Sequence, residues 1–270
     1  MTRLDLELVD RGLARSRSHA RQLITAGMVQ VNGTTVHRAA ARVRAADNVA
    51  SRADGYVSRA AAKLLGALDD LGVQVPQRAL DAGASTGGFT QVLLQRGCTL
   101  VYAIDVGTDQ LAPMLRADPR VVAREQTNLR DLDLRHVDHQ PVDLVVADVS
   151  FISLVLLVEP LAAVVRRSGH LLLMVKPQFE VGRELLGKGG VVRAAAHRRL
   201  AVEGVVSKAE SLHWYAQSAV ASRLPGPAGN REYFVLFAST RPPAAPDLDR
   251  LVEGVAPLDV SGATYAVPGE

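Results

Sequence analysis

Only four of the 31 basic side chains in this 270-residue chain are lysines: Lys63, Lys176, Lys188 and Lys208. Lys176 closes the run "LLLMVK", whose five apolar residues Leu171–Val175 read as a strand buried on both faces. Lys63 interrupts the apolar stripe of "SRAAAKLLGALDDLG". Arginine cannot act as a base, whereas a lysine can once burial and neighbouring charge disfavour its ammonium form. Position alone leaves Lys176 open between a base and a lysine snorkelling from a strand end. Three acids also fall at strand ends: Asp81 in "RALDAG", Asp105 in "TLVYAID" and Asp148 in "VDLVVADVSF". After Asp81 the loop "LDAGASTGGFT" lines up Gly83, Ala84, Ser85, Thr86, Gly87 and Gly88, small residues over which a ligand can approach the backbone. A carboxylate at the position of Asp105 can accept both hydroxyls of a ribose, and Asp148 could meet the reacting group. The chemistry on offer is a nucleoside-like ligand beside a group able to take a proton from a weak nucleophile.

These residues need a scaffold that brings strand ends together. From Val57 onward, strand-like runs alternate with helical ones. The helix "SRAAAKLLGALDDLG" turns Ala61, Leu64, Leu65 and Leu68 inward. Strands are expected at "RALDAG", "TLVYAID", "VVAREQTN", "VDLVVADVSF" and "HLLLMVKP". Helices are expected after the glycine loop, closed by Gly97, as a broken segment in "DQLAPMLRAD", over residues 153–167 and over Ala194–Ser211, with residues 178–193 as a Gly-rich loop. Such alternation predicts a largely parallel sheet covered on both faces. The last two strands, "WYAQSAVAS" and "REYFVLFAST", are joined only by "RLPGPAGN", too short for a crossover helix, so they must run antiparallel. A mostly parallel seven-stranded sheet with one reversed strand is the layout of the Rossmann-like class I methyltransferases. Their cofactor, S-adenosyl-L-methionine, has no pyrophosphate, and the G-x-G-x-x-G fingerprint is absent here.

The first 60 residues differ in charge. They hold ten basic and five acidic side chains, a net +5, and the remainder is close to neutral. This points to an anionic partner for the front end. Leu4, Leu8 and Val9 mark a short amphipathic helix ended by Gly12. Ser16 is a natural N-cap for a second helix with Ala20, Leu23 and Ile24 inside and Gly27 at its C-terminal cap. "MVQVNGTTV" reads as strand, Asn32-Gly33 turn, strand, and a further strand is expected around Asp47–Ala50. Arg17 and Arg21 share a helix face. With Arg3, Arg11 and Arg15 they are the residues expected to meet a phosphate backbone.

Several alternatives fall away. One cysteine, Cys98, excludes an internal disulfide or a cysteine cluster and is expected as a small core residue. No uninterrupted apolar run reaches the ~18 residues of a membrane span, and the charged start "MTRLDLELVDRG" lacks a secretory apolar segment. A cytoplasmic protein without stable membrane association is expected. "GRELLGKGG" falls short of a phosphate loop because Gly189 stands where Ser or Thr would bind Mg²⁺. His136 and His139 lack further ligands for a metal, so no metal is expected and both read as surface residues.

Two resemblances sharpen this reading. "GLARSRSHARQLITAGMVQVNG" resembles the S4 RNA-binding module, a small α+β unit that reads structured RNA by shape and phosphates. The larger part resembles the FtsJ-like 2′-O-methyltransferases, whose Lys-Asp-Lys-Glu set falls here on Lys63, Asp148, Lys176 and Glu232. The fusion, with "DAGASTGGFT" and "KPQFEVG", resembles the TlyA family over almost the whole chain; broader FtsJ-like enzymes carry Ala-Pro where this loop has Ser85-Thr86. The resemblance implies S-adenosyl-L-methionine along Asp81–Gly88 with its adenine near Asn128. It also implies 2′-O-methylation of cytidines in 16S and 23S ribosomal RNA, with ribosomal RNA or subunits as partner. It casts Lys176 as base, Lys63 and Asp148 as orienting groups and Glu232 as the anchor of the ammonium network. The family also carries a haemolysin label, so membrane lysis is the alternative from another class, and transfer or messenger RNA the alternative substrates. The expected domains are 1–54, a linker at 55–60, a methyltransferase domain over 61–245 and a C-terminal helix or tail over 246–270. A monomer is expected, with a dimer as the alternative.

Overall fold

The computed structural model describes residues 1–14, 16–25, 29–51 and 55–253. The chain divides into two compact units at Arg59/Ala60.

The first unit has a core of Leu4, Leu8, Ala20, Leu23, Ile24 and Val29. Strand β1 (Thr2–Arg3) leads into helix α1 (Leu4–Asp10), which Gly12 ends at φ 72°. Helix α2 (Arg17–Thr25) starts where Ser16 Oγ accepts from His19 N at 3.2 Å, the expected cap. The residues expected inside α2 are buried, and Gly27 lies outside the described residues. Strands β2 (Val29–Val31) and β3 (Thr34–Thr35) form the expected hairpin. Asn32 and Gly33 both take positive φ, 51° and 81°, as a type I′ turn requires. Strand β4 (Arg42–Val43) pairs with β1, and β5 (Val49–Ser51) with β2. The β1–β4 pair was not foreseen, because two-residue strands carry no readable alternation.

The second unit opens with α3 (Ala60–Leu71), β6 (Arg78–Ala82) and α4 (Gly88–Gln95). It continues through β7 (Leu100–Ile104), α5 (Pro113–Arg116), β8 (Val121–Arg124) and β9 (Val142–Ala147). Then come α6 (Val158–Ala163), β10 (Val165–Val175), α7 (Pro177–Glu180) and α8 (Ala195–Ser211). Strands β11 (Tyr215–Ala221) and β12 (Tyr233–Ala238) and helix α9 (Leu248–Glu253) complete it. The seven-stranded sheet runs β11-β12-β10-β9-β6-β7-β8. Its β6, β7, β8, β9 and β10 pairings are parallel, while β12 is antiparallel to both β10 and β11. The reversed strand is therefore β12, inserted between β10 and β11. Leu171–Val175 is fully buried on both faces, as expected for a central strand. Each such apolar side chain contributes about 1.5–3 kcal/mol by leaving water. Among the described residues, no helix is long and apolar enough to cross a membrane.

Two expectations need correction. The helix expected over residues 153–167 is a 3₁₀ turn at Leu154–Leu156 plus α6, which ends at Ala163. Val165 already pairs with Val142, and a register shift between Val165 and His170 lets the strand start early. Two adjacent β-branched residues, Val164 and Val165, favour this, and Gly169 sits so near the Asp143 carbonyl that a Cβ would lie 2.4 Å from it. The loop expected over 178–193 begins with the helical turn α7, because Pro177 at its first position is already set for a helix.

Candidate active site

Parallel β6, β7, β9 and β10 all end at one edge of the sheet, and antiparallel β12 begins there. Topology alone thus gathers Asp81, Asp105, Asp148, Lys176 and Glu232 at that edge. Asp148 follows Ala147, which pairs with Leu173 on β10. Lys176 follows Val175, which pairs with Tyr233, the residue after Glu232. Along the edge the order is Asp148, Lys176, Glu232, and α3 supplies Lys63 beyond Glu232.

The four side chains form two ion pairs. Lys63 Nζ donates to Glu232 Oε2, and both groups are almost wholly buried. Gly226 makes room for this carboxylate, since a Cβ there would lie 2.6 Å from Glu232 Oε1. Lys176 Nζ stands 2.5 Å from Asp148 Oδ1 and donates to Ser150 Oγ at 2.9 Å. The contact with Asp148 is an ion contact rather than an aligned hydrogen bond, and Oδ1 is left without a hydrogen-bond partner. Removing one member of such a pair strands a buried charge. Ser150 was not singled out from the sequence, because a hydroxyl three residues past a strand end gives no signal until its partner on the next strand is placed.

The loop after β6 is built largely by its own bonds. Asp81 is fully buried; its Oδ2 accepts from Thr90 N at 2.8 Å and Thr90 Oγ1 at 2.7 Å, tying β6 to α4. Burial pushes its carboxyl up to about 7, with the charges of Asp148 and Asp105 adding to the rise. Its Oδ1 has no hydrogen-bond partner. Asp105 accepts from Ser85 N at 2.8 Å and Gly107 N at 2.7 Å, one on each oxygen. Gly83 takes φ 82°, and a Cβ there would lie 2.9 Å from the Asp148 carbonyl. Gly87 takes φ 94°, and its Cβ would strike Leu115 and Leu111. At these two positions a glycine is also needed because the protein approaches its own backbone and side chains closely. Thr86 lends its carbonyl to Ala112 N, and Gly88 starts α4. Asn128 Oδ1 accepts from Arg130 N and caps a 3₁₀ turn at Leu129–Asp131.

Two further groups hold the walls. Glu180 accepts from Ser153 Oγ at 2.5 Å and Leu154 N at 2.8 Å, joining the segments after β9 and β10. Burial pushes its carboxyl up. Phe179 and Phe151, from the same two segments, also meet, with ring centroids 5.2 Å apart. Buried Asn230 accepts from Val192 N and donates to Gly190 O, fastening the "GKGG" segment to the β11–β12 connection. Cys98 is buried with its thiol toward Gln77 O and Leu100 O, the core role expected of it.

The sequence profile of the FtsJ-like methyltransferases matches residues 56–239, and that of the S4 domain residues 2–49. The chain belongs to the FtsJ-like methyltransferase family. Within it, the chain is 48% identical over 237 residues to a Mycobacterium tuberculosis protein named 16S/23S rRNA (cytidine-2′-O)-methyltransferase TlyA, covering 86% of this chain and 88% of that one. Hemolysin A of Brachyspira hyodysenteriae is 36% identical, with 87% of this chain and 99% of the relative aligned. A solved Streptococcus thermophilus structure whose name carries the same hemolysin label is 33% identical with TM-score 0.75, covering 94% of each chain. FtsJ-like enzymes use S-adenosyl-L-methionine as methyl donor. The edge suits such a group. Asp81 Oδ1 is a buried acceptor without a partner, as a cationic ligand would require. The oxygens of Asp105 each keep a lone pair for a hydroxyl after taking one backbone N–H.

Proposed function

We propose that this FtsJ-like methyltransferase transfers a methyl group to the ribose 2′-hydroxyl of cytidines in 16S and 23S ribosomal RNA, in the cytoplasm, with Lys176 as general base. The observation that carries the reading is the pair of lysine–carboxylate contacts along one sheet edge, Asp148 with Lys176 and Glu232 with Lys63. The relative named for 16S/23S cytidine-2′-O-methylation supports the substrate.

S-adenosyl-L-methionine, when bound, supplies an electrophilic methyl on a sulfonium that leaves as a neutral thioether. The protein's part is to hold the nucleophile and take its proton. A neutral lysine amine has two N–H bonds and one lone pair. Ser150 Oγ accepts one N–H bond and Asp148 Oδ1 lies in ion contact with the nitrogen, and the lone pair is left for the 2′-hydroxyl proton. Once protonated, Lys176 is an ammonium against the Asp148 carboxylate. Lys63 and Glu232 neutralise one another, so Glu232 stands beside Lys176 without adding net charge. Positioning supplies much of the rate, because the sulfonium is already a good leaving group. Asp81, Gly83, Ala84, Ser85, Thr86, Gly87, Gly88, Asp105, Asn128 and Asp148 are the residues proposed to hold the cofactor.

The front unit is proposed to hold the RNA backbone. Arg3, Arg17 and Arg21 are half-exposed cations on its surface. Arg11 also bonds Glu7 and the carbonyls of Arg44, Ala45 and Asp47, so much of its donor capacity braces its own module. Arg15 lies outside the described residues. The test is to map ribose methylation in ribosomal RNA from cells with and without this protein. Loss of 2′-O-methylcytidine at defined positions is expected; identical maps would contradict the reading.

A further inference from the structure

The front unit holds a charged cluster that packing does not require. Asp5, in the first turn of α1, is fully buried. Its Oδ1 accepts from Arg3 Nε at 2.9 Å, and its Oδ2 from Arg3 Nη2 at 3.1 Å, Arg17 Nε at 3.0 Å and Arg21 Nε at 3.2 Å. These three cations hold its carboxyl far below the usual carboxylate range, Arg3 most of all. The bidentate Arg3 already neutralises the carboxylate. A second and a third guanidinium bring mutual repulsion and leave a net +2 gathered around one buried oxygen.

The geometry of the added two points outward. Arg17 and Arg21 lie one turn apart on α2, and their side chains remain 48% and 53% exposed. Each reaches Asp5 through Nε alone, and among the described residues their Nη groups have no hydrogen-bond partner. A guanidinium tied at Nε has its plane fixed while its terminal nitrogens stay available. Two such forks side by side match the oxygens of a phosphate.

We propose that Asp5, Arg3, Arg17 and Arg21 form one preorganised site for a phosphodiester of the RNA backbone, with Asp5 as its positioning residue. This rests on the RNA reading above and refines it: the arginines act as a unit held by a buried carboxylate, not as independent surface charges. The two views differ in sign. Asp5→Asn makes the module more positive, so charge alone predicts tighter RNA binding. The preorganised site loses the anchor of its cations, which then repel and splay, and binds about tenfold more weakly.

The experiment measures binding of the full chain to ribosomal RNA at several salt concentrations, with thermal melting as the check on folding. Asp5→Asn is expected to weaken binding about tenfold. Arg17→Gln with Arg21→Gln is expected to weaken it and to lower the salt dependence by about two phosphate contacts, and to cost markedly less when added to Asp5→Asn. A folded Asp5→Asn chain that binds RNA as well as or better than the unaltered one overturns the site, as do strictly additive losses. If Asp5→Asn does not fold, the arginine pair decides: unchanged affinity and salt dependence of Arg17→Gln/Arg21→Gln overturn the proposal. An unaltered chain that does not bind ribosomal RNA at all overturns the RNA reading as well.

Discussion

Two of the places where carboxylates meet cations in this molecule differ in how far the cations are buried, and that difference gives them different work. In the front unit, Asp5 gathers three arginines whose own side chains are 35–53% exposed. At the sheet edge, Lys63 with Glu232 and Lys176 with Asp148 pair one to one, with every side chain at most 16% exposed. The bidentate Arg3 alone can neutralise buried Asp5, so the half-exposed Arg17 and Arg21 can be committed to a ligand at small structural cost. Buried pairs cannot be opened cheaply, which holds their geometry fixed and suits them to directing a proton.

The most severe way to break this contrast is Lys176→Ala. General-base catalysis contributes about 10²–10⁴-fold, so the single-turnover rate should fall by that factor while cofactor affinity, measured by calorimetry, survives. Lost cofactor binding would make Lys176 a structural residue instead.

Next in size is the stability of the other pair. Lys63→Met or Glu232→Gln alone should cost about 3–5 kcal/mol in urea unfolding, because each strands a buried partner. The double variant should cost clearly less than the sum. The same cycle on exposed Arg17 and Arg21 should move stability by under about 1 kcal/mol per residue.

Asp81 gives a pH dependence opposite in sign to that of Asp5, whose lowered carboxyl favours the folded chain as pH rises. Its carboxyl titrates near 3.8 when unfolded and at about 7 when folded. Between these values the folded chain holds the extra proton, so stability should fall as pH rises through that window. Asp81→Asn should flatten this part of the unfolding profile measured from pH 4 to 8. Cofactor binding that favours the ionised carboxylate should release a proton near pH 7, which calorimetry in two buffers would detect.

The smallest effect expected is that of Ser150→Ala. Losing one hydrogen bond to Lys176 is worth about 1 kcal/mol, roughly a tenfold or smaller loss in rate, with substrate affinity unchanged and Ser150→Thr restoring activity. A change confined to KM would place Ser150 in binding instead.

How much of this was legible in the sequence follows from the range of each interaction. The Asn32-Gly33 hairpin, the both-faces-buried strand before Lys176 and the antiparallel final pair are set by turn chemistry, apolar runs and linker length, all local. The early start of β10 was not, since it depends on Val165 meeting Val142 and on a glycine facing the Asp143 carbonyl. Lys63, Asp148, Lys176 and Glu232 were named from family resemblance, and the strand ends made two of them candidates beforehand. Ser150, Glu180, Asn230 and the role of Asp5 were invisible. Each acts through a partner 12 or more residues away, and nothing in the composition around them marks the contact.

The most direct test of the central claim is the position of the transferred methyl group. The full chain is incubated with isotopically labelled S-adenosyl-L-methionine and unmethylated ribosomal subunits, and the RNA is digested to nucleosides. Label in 2′-O-methylcytidine with the unaltered chain, and labelling slowed by about a hundredfold or more with Lys176→Ala, is the expected result. Label on a base, or undiminished ribose label with Lys176→Ala, would contradict it.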